Sequence, residues 1–269
     1  MFVDSHCHLN YKGLIEEQDE VIARACAAGV SAMLNISTRK REWADIIQTA
    51  EKAPNIWASI GIHPHEADTH IDVDTAQLVA AAAHPKVVAI GETGLDYYYD
   101  HSDREQQKSG FRAHIAAARE TGLPLIVHTR DAEADTAEIL RDEMGKGAYP
   151  GVIHCFTASA EFADIALELG LFISISGIVT FKNARAIQEV AAWAPADRIL
   201  VETDSPYLAP VPLRGRRQRC RARRVGFRTG SRRRARCRQH QPQRKPLCMS
   251  LSHRSLLVKV GRSGPLRSA

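Results

Sequence analysis

Near the N-terminus His6 and His8 flank Cys7. On an extended strand residues i and i+2 face the same way, so both imidazoles can grip one cation. Cys7 then points to the opposite face, where a buried thiol behaves as a small hydrophobe. Such a pair in isolation is more often two ordinary histidines. Here residues of metal-ligand type also follow apolar runs at His63 and His65, Glu92, His128, His154 and Asp204. Polar groups buried together need partners, and packing alone does not supply them. Glu92 follows Val87-Val88-Ala89-Ile90, and Asp204 follows Ile199-Leu200-Val201 closely. An unpaired carboxylate in such a place is costly, and a cation is its natural compensation.

Other residues leave alternatives open. Asp204 precedes Ser205-Pro206 and can also cap a turn. Glu202 and Asp96 are weaker candidates of the same type, and Asp96 in Gly94-Leu95-Asp96-Tyr97 suits a turn equally well. Pro64 ends strand geometry after His63, so His63 and His65 need not share a face. They are open to roles as ligands, phosphate contacts or loop residues, and His63 is favoured as a contact to substrate or leaving group. Arg130 can bind an anion, though a lone loop arginine is more often solvated or ion-paired.

The elements that must position these residues read as repeated β-α units. Apolar runs bounded by turn residues fall at Met1–Asp4, Val30–Ile36, Trp57–Ile62, Val87–Gly91, Pro124–His128, Gly151–His154, Leu171–Ser176 and Arg198–Glu202. Helical segments such as Glu17–Ala28 and Arg104–Glu120 lie between them, with Asp131 and Gly170 as expected cap residues. Eight strands and seven intervening helices predict a (β/α)8 barrel lacking its last helix. In such a barrel the strand ends converge on one mouth, which makes sequence-distant ligands neighbours.

A chain of 269 residues suits one barrel or two small domains, and length alone does not choose between them. No apolar run approaches the ~18 residues of a membrane span, and the N-terminus reads Phe2-Val3-Asp4-Ser5-His6 with no secretory leader. A cytoplasmic location without membrane partners is the expectation. Six cysteines without C-x-x-C spacing predict reduced thiols rather than a disulfide scaffold or zinc ribbon. The formal charge of +5 hides an asymmetry: from Leu213 onward there are 17 Arg and 2 Lys with no acid, which leaves 17 basic against 31 acidic residues before it. The whole-chain charge is therefore no evidence for a basic nucleic-acid-binding domain. Residues Arg214–Lys245 hold almost no aliphatic side chains and are expected to be disordered.

Six ordered motifs closely resemble the TatD family of metal-dependent deoxyribonucleases: Asp4-Ser5-His6-Cys7-His8, Gly61-Ile62-His63-Pro64-His65, Gly91-Glu92-Thr93-Gly94-Leu95-Asp96, His128-Thr129-Arg130, His154-Cys155-Phe156-Thr157 and Val201-Glu202-Thr203-Asp204-Ser205-Pro206. The resemblance spans residues 1 to about 212 and implies a barrel of the amidohydrolase-like type. It also implies two divalent cations (magnesium, manganese or zinc) and hydrolysis of DNA phosphodiesters, with single strands or ends favoured. By matching position, His6, His8 and Asp204 would hold one metal, His128 and His154 the second, and Glu92 would bridge. Two cations acidify a shared water and neutralise charge on the phosphate, and Asp204 could take the proton as general base, with Glu92 and His63 completing the catalytic set.

The resemblance stops near Arg214-Gly215-Arg216-Arg217, where an arginine-rich sequence replaces the family's helical ending. Strings such as Arg232-Arg233-Arg234-Ala235-Arg236 look like coding DNA read in the wrong frame. The expected division is a catalytic barrel over 1–212 and a non-native tail over 213–269. Two alternatives remain: a related barrel hydrolase for another ester or amide, and an inactive product whose tail binds nucleic acid non-specifically.

Overall fold

The computed structural model describes residues 2–215. Eight strands alternate with seven α-helices among them: β1 Phe2–Cys7, α1 Gln18–Ala27, β2 Val30–Asn35, α2 Trp43–Glu51, β3 Ile56–Ile60, α3 Thr75–Ala82, β4 Val87–Asp96, α4 Arg104–Thr121, β5 Leu125–Arg130, α5 Glu133–Lys146, β6 Gly151–Ile153, α6 Ala160–Glu168, β7 Phe172–Ile175, α7 Arg185–Trp193 and β8 Ile199–Val201. Every strand pairs in parallel with the next, in chain order. The ring closes through the segment just past β8. Cys7 and Ser205 form a parallel bridge, the Asp204 N–H donates to the His6 carbonyl at 2.9 Å, and the His8 N–H donates to the Ser205 carbonyl at 2.8 Å. Buried Asp4 pins the same seam by accepting from the Thr203 N–H at 2.8 Å and the Thr203 hydroxyl at 2.7 Å. This is the expected (β/α)8 barrel. An eighth helix, and nearly all of the stretch expected to be disordered, would fall beyond residue 215, outside the described residues.

The strands are buried on both faces, by the barrel interior and by the helices, which is why they read as continuous apolar runs. On α4 the fully buried Phe111, Ile115 and Ala118 recur at spacings of four and three and face the sheet. Asp103 caps its start by accepting from the backbone of Glu105 and Gln106, and Gly122 ends it at φ 71°. Gly170 follows α6 at φ 79°, as its expected capping role requires. Asp131 does not cap α5: the N-cap position belongs to Ala132, without a side-chain bond. Asp131 instead takes the left-handed φ of 51° that turns the chain from β5 into the helix, a conformation short polar residues tolerate.

The largest departure from expectation is β4, which runs five residues past Gly91. Its ladder to β5 continues through Thr93–Val127, Gly94–His128, Leu95–Thr129 and Asp96–Arg130 after a register irregularity between Ile90 and Thr93. Gly91 and Glu92 sit in that irregularity. A bulge re-aims side chains, and Gly91 is required because a Cβ there would meet the Ile126 carbonyl oxygen at 2.6 Å. The break in a continuous apolar run therefore marks a bulge inside the strand, not its end.

Behind the mouth, His114 of α4 is buried and neutral. Its Nδ1 donates to the Gly110 carbonyl at 2.7 Å and its Nε2 accepts from the Ile62 N–H at 3.0 Å. Burial pushes its pKa down to about 4. The unfolded chain, with a histidine near 6.5, binds a proton below that pH which the native state refuses, so this group lowers stability as pH falls from about 6.5 towards 4. Between pH 7 and pH 5 the expected difference is about 2 kcal/mol. Urea titrations at the two pH values should show it in the wild type and lose it in His114→Gln. An equal pH dependence in both proteins would contradict it.

Candidate active site

The bulge on β4 carries Glu92 into the centre of the mouth. Its Oε2 lies 3.4 Å from His6 Nε2 and 4.0 Å from His8 Nε2. Its Oε1 lies 2.8 Å from His154 Nε2, 3.1 Å from His128 Nδ1 and 3.5 Å from His63 Nε2. Each carboxylate oxygen thus faces its own set of imidazoles. On the first side, His6 and His8 bring their Nε2 atoms 3.3 Å apart, which strand geometry predicts for a His-x-His pair. Asp204 Oδ1 completes that side at 3.4 Å from His8 Nε2 and 3.8 Å from His6 Nε2. Asp204 reaches this position because it follows β8 with φ 54° and hydrogen-bonds back to β1.

Donor atoms of His6, His8 and Glu92 all lie within 4.8 Å of one another, as do those of His63, Glu92 and His128. Nitrogen and carboxylate donors so converged suit a divalent transition metal as well as magnesium. The partners of His6 Nε2 and His8 Nε2 are each other and the carboxylates of Glu92 and Asp204, an acceptor-rich buried cluster whose negative charge a cation would balance. The residues present therefore fit metal occupancy.

Supporting contacts orient the rings. His128 Nε2 lies 3.1 Å from Asp96 Oδ2, which leaves Nδ1 turned to Glu92. His154 Nδ1 lies 3.3 Å from Glu202 Oε1 while its Nε2 faces Glu92. A carboxylate behind an imidazole that faces the site is the usual support of a metal-binding histidine. A third grouping, His6 with His154 and Glu202, also lies within 4.8 Å. Glu202 Oε1 accepts from the Cys155 N–H at 2.8 Å and sits on the rear side of His154, so it fits a supporting position better than a ligand position.

Electrostatics separates these groups. Burial pushes the Glu92 carboxyl up, but His154 above all, with a hydrogen bond from His128, holds it well below the usual carboxylate range. Burial also raises Asp204, and the His8 contact and His6 outweigh it downward. His154 goes the other way from its burial: Glu92 and Glu202 raise it well above an ordinary histidine. His63 is driven well below ordinary by burial, against the pull of Glu92. The two acids are ionised and His63 is neutral.

His6, His8, His63, Glu92, His128, His154 and Asp204 converge on this mouth, with Asp96 and Glu202 behind it, while Arg130 lies against the Tyr98 ring instead. His65 bonds Asp96 at 2.9 Å instead of facing Glu92. Cys7 is fully buried in the core. Asp96 takes the turn role, since Oδ1 accepts from the Tyr98 and Tyr99 N–H groups, and its Oδ2 supports His65 and His128 instead of joining a ligand set. Three contributors escaped sequence reasoning: Asp4 at the seam, His114, and Tyr11, whose ring stacks on His8 at 4.4 Å. Asp4 carries a signal, an acid inside a short apolar strand; Tyr11 carries none.

A family model described as TatD related DNase matches residues 3–225. The chain belongs to that family. The uncharacterized metal-dependent hydrolase YcfH of Escherichia coli (strain K12) is 46% identical over 217 residues, covering 80% of this chain and 81% of that protein. A protein of Musicola paradisiaca (strain Ech703) named 3'-5' ssDNA/RNA exonuclease TatD is 38% identical over 199 residues, 73% of this chain and 75% of its own. The crystal structure of YJJV, a TatD homolog from Escherichia coli K12, superposes with a TM-score of 0.80 at 28% identity, covering 86% of this chain and 90% of that one. This TatD-family chain is accordingly a metal-dependent hydrolase on a TIM barrel. No helix among its described residues is long and apolar enough to cross a membrane.

Proposed function

We propose that this TatD-family chain is a nuclease that cleaves DNA phosphodiesters with a pair of divalent cations, acting on single strands or ends. The observation that carries the reading is Glu92, whose two carboxylate oxygens each face a separate set of imidazoles. His6, His8 and Asp204 would hold one cation, His128 and His154 the other, and Glu92 both. Such a pair supplies an acidified water and neutralises charge on the phosphate. Asp204, ionised and opening to the mouth with a side chain 14% exposed, accepts the proton of the attacking water. His63 Nδ1 accepts from the His65 N–H at 3.1 Å, so the proton of the neutral ring sits on Nε2, aimed into the mouth. That N–H is a donor for the leaving or phosphate oxygen rather than a ligand. Asp96 and Glu202 hold His128 and His154 in the required orientation. The Musicola paradisiaca relative's name supports a nucleic acid substrate. The same reading assigns the catalytic unit to 1–212 and leaves 213–269 as a tail without a ligand. It also makes the protein a cytoplasmic one.

Purified protein should hydrolyse single-stranded DNA and bis(p-nitrophenyl) phosphate with magnesium, manganese or zinc, and lose both activities with chelator. Hydrolysis of neither substrate by folded protein with measured bound metal would overturn the enzymatic reading. Turnover of the small diester alone would redirect it to another ester.

A further inference from the structure

Beside the second imidazole set lies a group of rings the chemistry above does not use. The turn after β4 carries Tyr98 and Tyr99, which are 56% and 48% exposed. Exposed neighbouring aromatics on a loose loop would mean little, but this turn is anchored. Both amide N–H groups donate to Asp96 Oδ1 at 3.0 Å, and the other oxygen of Asp96 lies 3.1 Å from His128 Nε2. One carboxylate therefore fixes a ring of the catalytic mouth and the turn that presents the tyrosines.

The Arg130 guanidinium lies 3.9 Å from the Tyr98 ring centre and 4.7 Å from that of Tyr99. Among the described residues it makes no ion pair, although the loops around it are acidic. Tyr99 stands edge-on to His65 at 5.3 Å and lies parallel to His101 at 5.5 Å. His65 itself meets His63 at 4.4 Å. A continuous path of rings thus leads from the mouth to the surface, with an unpaired cation lying against it.

Resting on the nuclease reading, we propose that the exposed Tyr98 ring, backed by Arg130 and braced at right angles by Tyr99, is a stacking shelf for an unpaired base of a single-stranded polynucleotide entering the mouth. A base inside a duplex has its faces occupied, so the shelf selects single strands or frayed ends. Stacking on a ring tolerates every base, since each has a π face, and arginine over the rings adds attraction for the backbone. The shelf acts on binding and touches no reacting atom.

The test compares an oligothymidylate with an abasic strand of equal length, measuring Kd in chelator, where no cleavage occurs, and KM with metal. Tyr98→Ala should weaken oligothymidylate binding by roughly 5- to 150-fold, the range of a lost stacked base, and Tyr99→Ala, which removes only the brace, by less. Abasic-strand binding and bis(p-nitrophenyl) phosphate turnover should stay unchanged. Tyr98→Phe should keep wild-type binding, because the ring is retained. Unchanged oligothymidylate binding in Tyr98→Ala, or an equal loss for the abasic strand, would overturn the shelf while leaving the nuclease intact. Wild-type protein that hydrolyses the small diester yet neither binds nor cleaves DNA would instead overturn the nuclease reading itself.

Discussion

Glu92→Gln is expected to lower kcat/KM for a phosphodiester by roughly 10³-fold or more. A carboxylate shared between two cation positions contributes on the order of 4 kcal/mol to stabilising charge in the transition state, and each 1.36 kcal/mol is tenfold in rate. Gln keeps the shape but loses the charge that His154 above all holds in place. Metal analysis should therefore fall towards one cation or none per chain, with the fold unchanged by circular dichroism. A variant that binds two metals and turns over within tenfold of wild type would remove Glu92 from the centre of the site.

Asp204→Asn should cost 10²- to 10⁴-fold in kcat, the range of a lost general base, with a smaller effect on metal content. The discriminating readout is the pH profile. The Asp204 carboxyl is held below its ordinary range, so its own protonation does not set the acid limit of wild-type activity; that limit comes earlier, from protons competing with the cations for His6, His8, His128 and His154. An external base such as hydroxide can partly replace the missing carboxylate, so the variant should gain activity steadily as pH rises. A flat profile in the variant at near-normal rate would assign the proton transfer elsewhere.

Much of this arrangement was readable in the residues themselves. Parallel strands buried on both faces must be apolar throughout, so each ligand appears as a polar residue after such a run, as His154 does after Val152-Ile153. The bulge at Gly91–Glu92 was not readable, because a strand that ends and a strand that shifts register look alike from one chain. The supporting acids were half-visible: Glu202 and Asp96 have the type of ligands, and only their placement behind His154 and His128 separates the roles. Tyr11 and His114 offered nothing, since a stacking contact or a hydrogen bond to a distant amide leaves no spacing pattern. Asp131 misled because a short acid before a helix resembles a cap, while its φ of 51° serves the turn.

The seam where β8 meets β1 carries a thermodynamic consequence. Asp4 and Thr203, 199 residues apart, are joined there, and the backbone bond from Asp204 to His6 belongs to the same closure. A cation held by His6, His8 and Asp204 would therefore act as a clasp on a belt, fastening the two ends of the barrel sequence to each other. Ligation that exists only in the closed ring stabilises that ring by mass action. Resistance to unfolding would then climb with the logarithm of free metal concentration, and the fold and its chemistry would share one fastening.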